Sequence, residues 1–262
     1  MVQLKKRPLL LMVRYKVKNS MKIFVISLKE SKNRRKEISK RMQELGLEFE
    51  FFDAVDGRQG LPKEYESMVD RNLTKKRYGV MSDGEYACAL SHALLYEKIV
   101  EEKVEHAIIL EDDCILDKDF ANMVKRKELE KADINCVLLY HLFASGLKFG
   151  KIILNKNYTL MKMPKTPFGT VGYYIKRTFA QQAYEKSIPV SGTADWPFDL
   201  ANMGAYAIYP RIVQHPTFED STLTGERFMR PRFVMRYGFM SWIKYKVLKL
   251  FSKKLSKTVD GK

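Results

Sequence analysis

Apolar runs rich in β-branched residues alternate along this chain with stretches of helical period. Residues 22–28 (KIFVISL) predict a strand buried on both faces, and Ser31 is a candidate N-cap for a helix through Met42. Residues 48–52 predict a second strand that runs into the turn Asp53-Ala54-Val55-Asp56-Gly57. Strand, helix and strand at this spacing form a βαβ unit, whose right-handed crossover makes the two strands parallel neighbours. No Gly-rich loop follows the first strand, which excludes P-loop enzymes and ordinary dinucleotide folds.

Residues 61–81 are polar and carry no clear period. Ser82 and Glu85 then have capping-box spacing and open a helix to Val100 that is apolar almost all round. Such a helix is buried, so Ser91 and His92 face either the core or a ligand. The next apolar run, 107–110, reads as a strand of parallel-sheet type that ends in Glu111-Asp112-Asp113 before Cys114-Ile115-Leu116. Further on, the pattern predicts a helix over 119–129, a strand over 135–140 and hairpin-like alternation over 147–168. A strand over 169–175 is entered through glycines, where backbone approaches a ligand closely. A helix over 177–187 and a last strand over 205–209 complete the pattern, and 210–232 is loop-like. With no internal repeat and no linker, the expected body is one α/β sandwich whose strand ends gather carboxylates on one edge.

Composition alters this picture at the termini. The net charge is +16, yet residues 1–20 hold six basic side chains and no acid, and 227–262 hold eleven basic and one acidic. The body between them is neutral. Nucleic-acid readers carry their basic residues on the folded face, so no nucleic-acid partner is expected. In the tail, Phe239, Met240, Trp242, Ile243, Val247, Leu250 and Phe251 recur at near-helical spacing among lysines, the pattern of an amphipathic segment lying on an anionic membrane surface. The alternative is a helix packed on the protein's own core or on a partner. No run approaches the roughly 20 apolar residues of a membrane span, and residues 9–13 lack a signal-peptide cleavage site. Cys88, Cys114 and Cys136, odd in number and without CxxC spacing, read as buried thiols of a reducing compartment.

Three consecutive carboxylates beside a buried strand end are costly unless a cation neutralises them. Hard oxygen ligands point to Mg²⁺ or Mn²⁺, ions that complete their shells with substrate phosphates. The bland alternative is a solvated loop tip, against which the flanking apolar residues argue.

Ile26-Ser27-Leu28 with Arg34-Arg35, Asp53-Ala54-Val55-Asp56-Gly57, Gly84-Glu85 with Ala89-Leu90-Ser91-His92, and Leu110-Glu111-Asp112-Asp113 occur in one order and spacing. Gly172-Tyr173 with Ala180, and Asp195-Trp196, extend the set. In this the chain resembles glycosyltransferase family 25, in particular its bacterial lipooligosaccharide β-galactosyltransferases, over roughly 21–225. The resemblance implies a GT-A-like nucleotide-sugar transferase sandwich around a mostly parallel sheet, an inverting transfer, and a UDP-sugar donor, UDP-galactose first among the candidates. It implies as acceptor a lipid-linked oligosaccharide at the inner face of the cytoplasmic membrane. The family's metal motif falls on Glu111, Asp112 and Asp113, here Glu-Asp-Asp rather than Asp-x-Asp.

On this reading Glu111, Asp113 and His215 are the expected metal ligands, with His215 otherwise a surface residue before Pro216. Asp112, Ser91, Asp53 and the backbone at Ile26, Ser27 and Leu28 are expected around the donor, and Arg34 or Arg35 at its phosphates. Asp195 is the expected base, with Glu219 and Asp199 as rivals and Trp196 as a stacking surface for a sugar ring; otherwise Asp195 caps a helix starting at Trp196-Pro197. The expected division is 1–20 as a basic extension, 21–226 as the transferase domain and 227–262 as a membrane-associating tail. The competing functions are a metal-dependent phosphohydrolase, a non-enzymatic basic membrane-binding protein, and the same transferase with another UDP-hexose or UDP-N-acetylhexosamine.

Overall fold

The computed structural model describes residues 21–216 and 246–255; residues 1–20, Glu219 and most of the tail lie outside the described residues. Strand β1 (Lys22–Ser27), helix α1 (Lys32–Leu45) and strand β2 (Glu50–Asp53) form the expected βαβ unit, with β1 and β2 parallel. A short 3₁₀ turn (Lys63–Met68) and helix α2 (Arg71–Tyr78) occupy the polar stretch that lacked a period. Helix α3 (Asp83–Glu101) begins with a complete capping box between Ser82 and Glu85. It leads into β3 (His106–Glu111), which lies parallel to β1 on the side away from β2.

Beyond β3 the chain departs from simple alternation. Strand β4 (Ile115–Leu116) precedes two short helices, α4 (Phe120–Lys125) and α5 (Glu128–Lys131), where one longer helix was expected. The break falls at Lys127, which adopts a left-handed backbone at φ 55° that no continuous helix accepts. Strands β5 (Cys136–Leu138), β6 (Ser145–Leu147), β7 (Ile152–Ile153), β8 (Thr159–Lys162) and β9 (Gly172–Lys176) follow, then α6 (Arg177–Ser187). Strands β10 (Tyr206–Tyr209), β11 (Val213–Gln214) and β12 (Ser252–Lys254) end the description.

The main sheet has the order β2-β1-β3-β9-β5-β10-β8-β7. The expectation of a mostly parallel sheet is corrected by its pairing: β9 runs antiparallel between β3 and β5, and β8 antiparallel between β10 and β7. The sheet is mixed, because β9 enters directly from a loop on the carboxyl side of β3 instead of returning through a crossover helix.

Alternate residues of the strands feed two cores. Phe24, Ile109, Tyr173 and Ile175 pack under α3 and α6. Ile23, Val25, Ile108, Leu110 and Tyr174 pack with Ile38 and Met42 of α1 and Phe120 of α4. Helices on both faces explain why β1 and β3 read as unbroken apolar runs. Residues 252–255 return to this body: β12 pairs antiparallel with β6, and Leu255 is buried among Ala144 and Met161. Cys114 and Cys136 are buried thiols and Cys88 is partly buried. Among the described residues no helix is long and apolar enough to cross a membrane.

Candidate active site

The carboxyl ends of β1 and β3 bring the acidic triplet against the start of α1. Ser27 Oγ donates to Asp112 Oδ2 at 2.7 Å, and Arg34 Nη1 reaches Asp112 Oδ1 at 3.2 Å and Asp113 Oδ2 at 3.6 Å. Burial raises the Asp112 carboxyl above its ordinary range, and Ser27 and Arg34 offset this only in part. Arg35 turns the other way: it donates to the Ser27 and Leu28 carbonyls, pairs with Asp53, and covers the Phe51 ring at 4.6 Å. Both arginines therefore already hold carboxylates, and Arg35 serves to fix the end of β1.

Glu111 points toward the opposite side. Thr170 Oγ1 donates to its Oε1 at 2.7 Å, and His92 Nε2 lies 3.6 Å from the same oxygen. Burial pushes this carboxyl up, but His92, Thr170 and His215 together outweigh it and leave it below the ordinary value. His92 is itself buried, with Nδ1 bonded to the Tyr173 hydroxyl at 2.7 Å, which in turn meets the Tyr96 hydroxyl at 3.0 Å. Of the two readings of this histidine, core or ligand, the structure shows the core one, with the ring set behind Glu111.

His215 reaches the triplet through strand pairing. Strand β11 pairs with β4 in the register Gln214↔Ile115, so the next residue, His215, arrives beside the triplet. Its Nε2 lies 3.4 Å from Asp113 Oδ2, and that contact, against the opposing effect of burial, raises the imidazole pKa. Asp113 Oδ1 is buried without a hydrogen-bond partner. A carboxylate oxygen left bare beside an imidazole is a donor set that fits a divalent ion. Among the described residues no group of three or more His, Cys, Asp or Glu side chains is arranged to enclose a metal. Any such ion would draw the rest of its shell from phosphate and water.

Asp195 is brought in by the loop ahead of β9. The Gly169 N–H donates to Asp195 Oδ1 at 2.8 Å, and the following Thr170 holds Glu111. Tyr140 lies beside these groups: its ring centroid is 6.2 Å from that of His215, a Cβ on Gly169 would stand 2.5 Å from its ring, and burial, with the charges of Asp195, Glu111 and Asp113 in support, pushes its hydroxyl pKa up. Arg211 lies over the same ring at 5.5 Å, with its Nε buried and unpartnered. Tyr140, Thr170 and Arg211 were not legible as site residues, since each stands alone in sequence without a motif.

Several expectations are corrected. Ser91 does not face a ligand: it is 1% exposed, donates to the Ala87 carbonyl and accepts from Val55 N–H, clamping the 53–57 turn onto α3. Trp196 is fully buried against Tyr173, and its indole N–H donates to the Gly169 carbonyl, so it cannot stack on a sugar. No helix begins there for Asp195 to cap. Asp199 accepts from Thr166, Ala201 and Asn202 and is consumed by its own turn. A polar cavity of about 350 Å³ bordered by Asp119, Asn122, Arg126, Asn155 and Asn157 shares no residue with this cluster.

The profile of glycosyltransferase family 25 (LPS biosynthesis protein) matches residues 20–199. Lipooligosaccharide biosynthesis protein lic2B of Haemophilus influenzae is 30% identical over 165 residues, 61% of this chain and 60% of that protein. Lacto-N-neotetraose biosynthesis glycosyltransferase LgtE of Neisseria meningitidis serogroup B is 27% identical over 203 residues, 72% of this chain and 71% of that protein. Procollagen galactosyltransferase 2 of Mus musculus is 26% identical over 132 residues, 45% of this chain and 20% of that protein. With the matched region running from before β1 to beyond Asp195, the chain belongs to glycosyltransferase family 25.

Proposed function

We propose that this protein transfers a hexose, galactose, from a UDP-sugar to a lipid-linked oligosaccharide of lipooligosaccharide type, with inversion at the anomeric carbon. The observation that carries this reading is that the Asp113–His215 pair and the Gly169 N–H that holds Asp195 both lie against the Tyr140 ring. The GT-A-like arrangement expected from the family is consistent with a nucleotide entering at the carboxyl ends of β1 and β2, where Asp53 and the Ser27 and Leu28 backbone lie. The galactose assignment draws on the family resemblance and on the activity named for the mouse relative.

Asp113 and His215 are the side chains that would hold a Mn²⁺ or Mg²⁺ ion. Bound there, the ion supplies Lewis-acid stabilisation for a departing diphosphate. Arg211 adds fixed positive charge beside Tyr140 for the same leaving group. Asp195, held through Oδ1 by the Gly169 N–H, keeps Oδ2 for a proton. As the acceptor oxygen bonds to the anomeric carbon, the bond from that carbon to the β-phosphate oxygen breaks, UDP leaves, and the acceptor proton passes to Asp195. Asp195 is favoured over Asp199 because the oxygens of Asp199 are already occupied by its turn.

The test is Asp195→Asn assayed with UDP-galactose, Mn²⁺ and a truncated lipooligosaccharide. Transfer is expected to fall by about 10²- to 10⁴-fold, with thermal stabilisation by UDP and Mn²⁺ retained. Near-normal turnover would refute the assignment of the base. A panel of other UDP-sugars that stabilises the protein more than UDP-galactose would refute the donor.

A further inference from the structure

Exposed apolar side chains gather on one ribbon. Phe149, Val247, Leu250 and Phe251 are 52%, 54%, 78% and 52% exposed, and the Phe149 and Phe251 rings meet edge-on with centroids 6.3 Å apart. Phe149 lies just after β6 and Phe251 just before β12, and the pairing Ser252↔Leu147 sets them side by side. The Lys148 N–H donates to the Phe251 carbonyl at 3.0 Å and locks the two segments together.

The ribbon is fastened to the folded core. Leu255 is 2% exposed and its N–H donates to the Ala144 carbonyl. Gly146 of β6 lies so close to Met161 that a Cβ would stand 2.8 Å from that side chain. The Lys253 ammonium sits 4.4 Å from the Tyr209 ring centroid. Around the apolar cluster Lys148, Lys151, Lys246, Lys249, Lys253 and Lys254 are exposed, and neither 148–151 nor 246–255 contains an acid.

Charge and apolarity together choose the occupant. The six lysines on these described segments repel basic partners and attract an anionic surface. A nucleic acid offers phosphates to the lysines but nothing to Val247 and Leu250, whose aliphatic side chains gain only by leaving water. A bilayer offers both, with headgroup phosphates at the rim and an acyl boundary at the centre. We propose that the β6–β12 ribbon with segment 246–251 docks on an anionic phospholipid bilayer, Phe149, Leu250 and Phe251 entering the interface. Strand β6 starts five residues after Tyr140, so docking holds the cleft near the membrane. That consequence alone rests on the transferase reading, since the surface itself stands without it.

Flotation of the full chain with vesicles decides this. Binding is expected to phosphatidylcholine mixed with phosphatidylglycerol and not to phosphatidylcholine alone. Phe149→Ser with Phe251→Ser, and separately Lys148→Ala with Lys249→Ala, are each expected to lower the partition at least about tenfold, with melting temperature and transfer to a water-soluble acceptor retained. The lysine pair lies on the surface and decides the matter if the phenylalanine pair melts early. Parent-like binding by the lysine pair overturns the proposal, as does a single-stranded oligonucleotide bound more tightly than the mixed vesicles. Loss of transfer with flotation intact would defeat only the transferase reading.

Discussion

Gly169 shows how much one residue can organise. Its φ of +99° lies where side chains are strained, and a Cβ there would sit 2.5 Å from the Tyr140 ring. Its N–H holds Asp195 and its carbonyl receives the Trp196 indole, so one glycine sets Tyr140 and the proposed base together. The sequence leads us to expect a ligand close to the backbone at these glycines; the group that comes close at Gly169 is the protein's own Tyr140 ring. His141, beside Tyr140, is buried and bonded through Nε2 to the Ile208 carbonyl at 2.9 Å. Burial brings its pKa down to about 4. Below about pH 6.5 the unfolded chain gains a proton that the native state refuses, so this stabilisation is complete above that value and disappears as the pH falls toward 4. Urea melts from pH 7 to 4 are expected to show up to about 3 kcal/mol more acid loss in the parent than in His141→Gln. Equal slopes would rule the histidine out as the source.

At the scale of elements, local chemistry predicted best where it acts within a single turn. The capping box of α3 is such a case: Ser82 Oγ accepts from Glu85 N–H while the Glu85 carboxylate accepts from Ser82 N–H. Ser82→Ala is expected to cost about 1 kcal/mol in urea unfolding and Ser82→Asp much less; equal losses would argue against the cap. Helix α6 has the predicted bounds, whereas the expected helix over 119–129 splits at Lys127. No glycine or proline marks that break, and nothing local to the sequence announces it. Strand β9 was legible as a strand but not as an antiparallel one, since direction is set by its neighbours rather than by its own residues.

For the whole molecule the tail is the test of how far folding extends. Leu255 joins the core formed with Ala144 and Met161, both about a hundred residues away along the chain. Leu255→Ala is expected to lower unfolding stability by about 2–4 kcal/mol, measured by urea denaturation; a tail hanging free of the body would give no change. The sequence by itself determined the βαβ start, the buried helix α3, the acidic end of β3 and the family, because each is written in contiguous residues whose period or spacing is a local property. The tertiary structure alone decided that Asp113 faces His215, that Glu111 turns to Thr170 and His92, and that Asp195 is held by Gly169, which packs against Tyr140. Those encounters depend on the β4–β11 register and on the antiparallel entry of β9, which are long-range pairings that no local pattern encodes.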